Sequence, residues 1–310
     1  MSVVAALKAR LKKCTLCPRE CRVDRTAGEK GFCGLSGEIL MDCATAHFGE
    51  EPPLSGTGGA GTIFLSSCNL KCVYCQNFQI SHRADGKCVD AAGLAKVMLA
   101  LQAQGCHNIE PVTPTPQLPG IIEALLIARA QGLRVPFVYN CGGYESPDVI
   151  GMLDGLVDIY LPDFKYGLDE EGSMLSGVGD YPRHAAAAIR EMVRQTGEGL
   201  ETEGGVARRG VLIRHLVLPG KTANSMAVLD RIREHVSPAV TLSLMSQYTP
   251  IPAVRSHPVL GRRVSRAEYD RVVRYALDSG FENVFVQEVD ERHLSPDFNR
   301  EEPFQWEKEK

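Results

Sequence analysis

The sequence predicts an α/β fold, a partial (β/α)6 TIM-like barrel with a Cys-rich, metal-binding appendage at its amino-terminal end. Three observations carry this expectation. Short apolar or β-branched runs alternate with longer segments of helical period from about residue 62 onward, the pattern of a parallel sheet with helical crossovers. The cysteines are clustered, with Cys14, Cys17, Cys21 and Cys33 in one short segment and none after Cys141. Finally, 310 residues at 44% hydrophobic and 23% charged composition suffice for one large barrel with an appendage, and they exclude a chain disordered throughout.

The amino-terminal cysteines are spaced C-x2-C-x3-C-x11-C on a Gly-rich stretch. Four thiolates placed this way can saturate a tetrahedral Zn2+ ion or hold a closed auxiliary Fe–S cluster, and the spacing does not choose between them. Too few apolar residues remain in the segment to order it without the metal. Residues 50–61 are dense in proline and glycine and mark a connection. The chain therefore divides into a metal-binding segment over 1–55, a barrel over 56–290 and a polar, loosely held tail over 291–310.

Although 56–61 reads G-x-G-x-x-G, it precedes a strand instead of joining a strand to a helix, so a hairpin or linker is expected there and not a dinucleotide site. Strands are expected over 62–66, 108–113, 135–139, 157–161, 211–217, 240–246 and 283–287. Helices are expected over 91–104, 119–131, 147–153, 183–195, 225–235 and 265–279. Six or seven such units fit an incomplete barrel better than an open sheet, and in either arrangement function belongs at the carboxyl ends of the strands.

The formal net charge of −4, from 34 Lys and Arg against 38 Asp and Glu, gives no broad footprint for nucleic acid or an anionic membrane. No apolar run approaches the ~18 residues that cross a bilayer, and the start turns basic at Lys8, where a leader would place its cleavage site. A cytoplasmic location is expected. Thiols stay reduced there, so eleven cysteines point to metal or redox chemistry rather than disulfides. The histidines form no ligand pair at i, i+4, and Cys141 is expected to pack as a small hydrophobe.

Immediately after the first barrel strand stands Cys68-Asn69-Leu70-Lys71-Cys72-Val73-Tyr74-Cys75, three thiols spaced C-x3-C-x2-C. Gaps this short let one loop curl its sulfurs around a single compact cluster. Three thiolates on a 4Fe–4S cube leave one iron free for an outside ligand, whereas a four-cysteine set saturates it. A structural zinc site with a remote fourth ligand is the plainer alternative. The spacing, its place at a strand end and the aromatic before the third Cys resemble the signature of the radical S-adenosylmethionine enzymes. The resemblance implies Cys68, Cys72 and Cys75 as ligands of a catalytic 4Fe–4S cluster, S-adenosylmethionine as the molecule chelated by its open iron, and Tyr74 as a neighbour of the adenine.

Further segments extend the resemblance over most of 62–288. In His107-Asn108-Ile109-Glu110-Pro111, Glu110 stands where the family's Gly-Gly-Glu-Pro motif places a carboxylate for the cofactor's ammonium, although Asn108 and Ile109 replace the glycines. In Tyr160-Leu161-Pro162-Asp163-Phe164-Lys165, Asp163 and Lys165 share one face of an extended chain. That stretch is similar to the Asp-x-Lys segment of pyruvate formate-lyase activating enzymes, where such residues hold the ribose and an associated cation. Asn140 replaces an Asp of that cation site. Arg214, in Ile213-Arg214-His215-Leu216-Val217-Leu218-Pro219-Gly220, is an anion contact by the same resemblance, and Tyr248 stands where the activating enzymes carry a His beside the adenine. The phrase from Asp158 to Tyr166 and the opening Cys14-Thr15-Leu16-Cys17-Pro18-Arg19-Glu20-Cys21 resemble the PflX-type branch.

The activity this implies is reductive cleavage of S-adenosylmethionine to a 5′-deoxyadenosyl radical that abstracts hydrogen from a protein or peptide, with activation of a glycyl radical enzyme as the foremost case. A flavodoxin or ferredoxin would supply the electron. Radical modification of another peptide or small molecule is the enzymatic alternative, and a non-catalytic Fe–S electron-transfer or zinc-binding protein is the alternative of a different class. Dual-methylating RNA enzymes need further catalytic cysteines, which would have to lie beyond Cys141.

Overall fold

The computed structural model describes residues 2–289, 295–300 and 302–304. Its strands, in chain order, are β1 (Ile39–His47), β2 (Ala60–Leu65), β3 (Lys87–Val89), β4 (Ile109–Val112), β5 (Val138–Cys141), β6 (Ile159–Pro162), β7 (Glu201–Glu203), β8 (Val206–Leu216), β9 (Thr241–Met245) and β10 (Val284–Val286). Three helices, α1 (Val3–Ala9), α2 (Pro52–Ser55) and α3 (Phe78–Ser81), precede the main crossovers. The crossovers carry α4 (Ala91–Ala103), α5 (Leu118–Ala130), α6 (Pro147–Gly151), α7 (Asp169–Ser176), α8 (Tyr181–Thr196), α9 (Thr222–His235) and α10 (Arg266–Asp278).

One sheet runs in the order β3-β1-β2-β4-β5-β6-β8-β9-β10, with β7 pairing off β8. From β2 to β10 every neighbour is parallel and follows in chain order. A doubly wound sheet reverses direction at a switch point; this one never does, so its right-handed crossovers fall on one side and the sheet winds as a barrel does. Among the described residues no pairing joins β10 back to β2 or β3, so the barrel is partial and open. The antiparallel β1 and β3 extend its first edge.

The strand pleat sorts two cores. Alternate residues of a strand point to opposite faces, and Tyr139, Tyr160, Val211, Ile213, Leu242 and Leu244 join the helices in the large outer core. Their neighbours Val138, Ile159, Leu161 and Leu212 form a separate inner cluster with Leu54 of α2. Leu54 is fully buried, and it plugs the floor of the barrel. Strong local signals position the crossovers: Asp90 caps α4 through Gly93 N at 2.7 Å, and Ser265 with Glu268 forms a capping box on α10.

The seven expected barrel strands and the six expected helices all have counterparts within a few residues. The last two residues of the G-x-G-x-x-G stretch open β2. Residues 56–59 lie in the connection between β1 and β2, as a turn pressed on a neighbouring backbone: a Cβ on Gly58 would stand 2.1 Å from the Gly105 carbonyl oxygen. The amino-terminal segment lies on the barrel's flank, with α1 packed against α5 and Lys8 paired to Glu123 at 2.7 Å. Of the tail expected over 291–310, residues 291–294, 301 and 305–310 lie outside the described residues. The described part is held: Phe304 packs on His47 and Phe64 with ring centroids 4.4 and 5.0 Å apart, and Gln79 Nε2 donates to Asp297 Oδ1 at 2.9 Å. Its aromatic residues, outnumbered in the sequence by Glu and Lys, supply the apolar contact. No helix among the described residues is long and apolar enough to cross a membrane.

Candidate functional site

The three-thiol loop leaves the end of β2 with Ser67 at φ +80° and Lys71 at φ +52°, two non-glycine residues in the left-handed region. Such positions cost roughly 1–3 kcal/mol each and persist where surrounding contacts over-determine them. Those contacts are present. Ser67 N donates to Ile80 O at 2.9 Å and Val73 N to Leu175 O at 2.9 Å, while Asn69 Nδ2 donates to Tyr144 O at 2.8 Å.

The sulfurs are also directed. Leu70 N donates to Cys68 Sγ and Ser81 Oγ to Cys75 Sγ, both at 3.2 Å. Burial pushes the Cys68 thiol up to about 12, with the neighbouring Cys72 adding to it, and burial followed by Cys72 raises Cys75 as well. Thiols this close and this desolvated ionise only when a cation supplies the compensating charge. Among the described residues, no three or more Cys, His, Asp or Glu side chains stand in the arrangement of ligands to a single metal ion. A cube binds its thiolates through separate irons, so three neighbouring, shielded thiols on one curled loop fit that group.

A cavity of about 800 Å³ opens beside the loop. Cys72, Tyr74 and Cys75 line one side of it, and Asn140, Asp163, Lys165 and Arg214 line the depth. The latter come from the carboxyl ends of β5, β6 and β8, where the pleat turns every second side chain inward. Arg214 is the hub: its Nε donates to Asp163 Oδ1 at 3.2 Å, Nη1 to Glu50 Oε2 at 2.9 Å and Nη2 to Asn140 Oδ1 at 2.6 Å. Lys165 Nζ pairs with the other Asp163 oxygen. Burial alone would raise the Asp163 carboxyl, but the Lys165 and Arg214 charges hold it below the ordinary carboxylate value.

Two expected cofactor contacts lie off the cavity lining. Glu110 is fully buried behind Asn140, whose Nδ2 donates to Glu110 Oε1 at 2.7 Å. Burial and then the adjacent Glu50 charge raise the Glu110 carboxyl well above its ordinary range. Tyr248 turns outward, donating its hydroxyl to Leu260 O at 2.7 Å; its ring packs edge-on to Tyr74 with centroids 6.2 Å apart. The inward position next to it belongs to Gln247, whose carbonyl accepts from Gln76 Nε2 at 2.9 Å.

Sequence reasoning did not single out Glu50, Gln76 or Gln247, and it read His47 as an ordinary residue. Each lines the cavity. Gln76 directly follows the third cysteine, and Gln247 is one pleat step from Tyr248, so both carried a positional signal. Glu50 carried none, because it reaches Arg214 from the far end of β1. Burial pushes His47 down to about 4, so it presents a neutral ring to the cavity. Cys141 is buried beside Tyr139 and Tyr144 in the outer core, as a small hydrophobe would be.

The amino-terminal thiols neighbour one another. Cys21 Sγ accepts from Phe32 N at 3.3 Å, and Cys14 Sγ faces Arg25 Nη1 at 3.8 Å. Burial pushes Cys17 up to about 12, with Cys14 and Cys33 among the groups that add to it. A zinc ion would need all four sulfurs on one centre, a convergence absent among the described residues.

No family model matches the chain. It is similar to the uncharacterized protein MJ0674 of Methanocaldococcus jannaschii, at 29% identity over 274 residues, covering 86% of this chain and 74% of that protein. Among solved structures it matches Streptococcus suis SuiB, crystallised with S-adenosylmethionine, at 13% identity and a TM-score of 0.49. That match covers 73% of this chain and 47% of SuiB, so the chain spans about half of that protein's length.

Proposed function

We propose that this protein is a radical S-adenosylmethionine enzyme that abstracts hydrogen from a protein or peptide substrate. The observation that carries the reading is the meeting, around one cavity, of a three-thiol loop and the partly buried cluster of Asn140, Asp163, Lys165 and Arg214. Cys68, Cys72 and Cys75 would hold a 4Fe–4S cluster, and that group would supply the one electron needed for reductive cleavage of S-adenosylmethionine to methionine and a 5′-deoxyadenosyl radical.

The chain's own residues bind, orient and insulate. Asp163 presents an ionised carboxylate that can accept ribose hydroxyls, and Arg214 and Lys165 present charged donors to the cofactor's carboxylate. Asn140 and Glu110 fix the Arg214 fork from behind. The inner cluster around Leu54 closes the floor, and exclusion of water protects a reactive radical from side reactions. In this reading the amino-terminal thiols are a second metal-binding group, for zinc or a closed cluster, whose sulfurs would have to draw together on binding.

The finer assignment, activation of a glycyl radical enzyme with a flavodoxin or ferredoxin as electron donor, rests on the sequence resemblance to the PflX-type branch. Anaerobic reconstitution tests the chemistry. The reconstituted protein with S-adenosylmethionine and dithionite is expected to release 5′-deoxyadenosine, and Cys72→Ala is expected to release none. Cleavage that persists in the variant, or a cluster-loaded protein that cleaves nothing, overturns the enzymatic reading in favour of an electron-transfer or metal-binding role.

A further inference from the structure

We infer that Arg19 is a positioning residue that braces the three-thiol loop from the amino-terminal segment, so that order in the four-thiol region governs the geometry of Cys68, Cys72 and Cys75. The inference rests on the reading above only for what the three thiols hold.

Arg19 sits midway between Cys17 and Cys21, yet its guanidinium is spent on the other loop. Nε donates to Asn69 O at 2.5 Å, and Nη2 donates to Ser176 O at 2.9 Å and reaches Leu70 O at 3.5 Å. The Asn69 and Leu70 carbonyls belong to peptide units between Cys68 and Cys72. Ser176 closes α7, whose last carbonyls carry the negative end of the helix dipole and favour a cation. Arg19 is fixed in turn by Phe32, its guanidinium carbon lying 3.4 Å from the ring centroid, and Phe32 N is the donor to Cys21 Sγ.

A second tie runs through the backbone on the other side. Ser67 Oγ donates to the carbonyl of Cys33, so the residue preceding the first cluster cysteine is bonded to the last cysteine of the amino-terminal set. The two residues with left-handed backbone in the loop, Ser67 and Lys71, enclose the stretch that Arg19 and Cys33 grip. Lys71 also stands over the Phe32 ring, at 5.3 Å. A strained loop keeps its shape only where outside contacts select it, and a planar fork serving two carbonyls in different elements supplies an orientation that a point charge does not.

The test uses the full chain. Amide hydrogen exchange of the protein as purified is expected to speed up across 67–75 in Arg19→Gln while α4 and α9 stay unchanged. In the reconstituted protein, Arg19→Gln is expected to retain iron at the three-thiol site roughly tenfold less well against a chelator, as for outer partners of metal ligands. It should also alter the electron paramagnetic resonance signal of the reduced cluster, with Arg19→Lys intermediate. Cys17→Ser is likewise expected to weaken iron retention at the three-thiol site, since the two sites share the Arg19 and Cys33 contacts. Wild-type exchange and wild-type iron retention in Arg19→Gln would overturn the inference. A wild-type protein that assembles no cluster would overturn the proposed chemistry instead, and the exchange measurement would still decide the bracing.

Discussion

Asp163 and Arg214 meet across two neighbouring parallel strands, their backbones joined in a bridge and their side chains by an Nε–Oδ1 contact of 3.2 Å. Both are shielded, with 18% and 13% of their side chains exposed. Removing one partner leaves the other charge buried, which costs about 3–5 kcal/mol. Asp163→Ala is therefore expected to lower the urea unfolding free energy by that order and, on the proposed function, to abolish S-adenosylmethionine binding in calorimetry. Because the native carboxyl is held below its ordinary value of 3.8, its stabilising share is present above that value and disappears as pH falls through the lower native value. Wild type and variant should thus converge in acid.

Glu145 has the opposite linkage. It is buried, accepts from Thr115 Oγ1 at 2.7 Å, and burial pushes its carboxyl from 4.5 up to about 8. An unfolded chain ionises the group freely above about 4.5, so the native state loses ground as pH rises from there to about 8. Glu145→Gln keeps the Thr115 bond and removes that titration. The variant is expected to gain on wild type by on the order of 1 kcal/mol per pH unit across that window, read from denaturant melts at three pH values. A gain independent of pH would contradict the account.

Leu54 offers a test of the barrel's floor. As a fully buried member of the inner cluster, its truncation in Leu54→Ala should cost about 2–5 kcal/mol through lost burial and an unfilled void. A cost under about 0.5 kcal/mol, the range of surface changes, would mean that α2 does not seal the inner face.

At Gly58 the added Cβ of Gly58→Ala would meet a carbonyl oxygen 2.1 Å away that belongs to backbone and cannot turn aside. The change is expected to cost upwards of about 3 kcal/mol, beyond ordinary overpacking. Gly37→Ala, where a Cβ meets nothing within 4 Å, is the control and should leave the melting temperature near wild type. Equal effects would place the Gly58 stretch away from Gly105.

Much of the fold could be read from residue order, because the barrel strands from 60 to 286 are short, apolar and separated by strong helical periods. β1 was not legible. Its Asp42, Cys43, Ala44 and Thr45 do not alternate cleanly, and most of the strand is only half-buried, so its pairing with β2 decides it more than its own pattern does. In the site, spacing along one loop or strand end pointed to Cys72, Cys75, Asp163 and Lys165, which share the cavity. It pointed less well to Tyr248 and Glu110, because resemblance supplies a position and not the direction a side chain takes. One step along the pleat exchanges Tyr248 for Gln247, and the Arg214 fork draws Asn140 in front of Glu110. Partners brought in by the sheet's winding, such as Glu50 against Arg214 and Arg19 against Asn69, have no local signature at all.

The stopper formed by Leu54 and its neighbours is wholly apolar, and none of its side chains lines the cavity that Asp163 and Arg214 share. A change that loosens it is therefore felt by the scaffold first, and by whatever the cavity holds only through the strands between them.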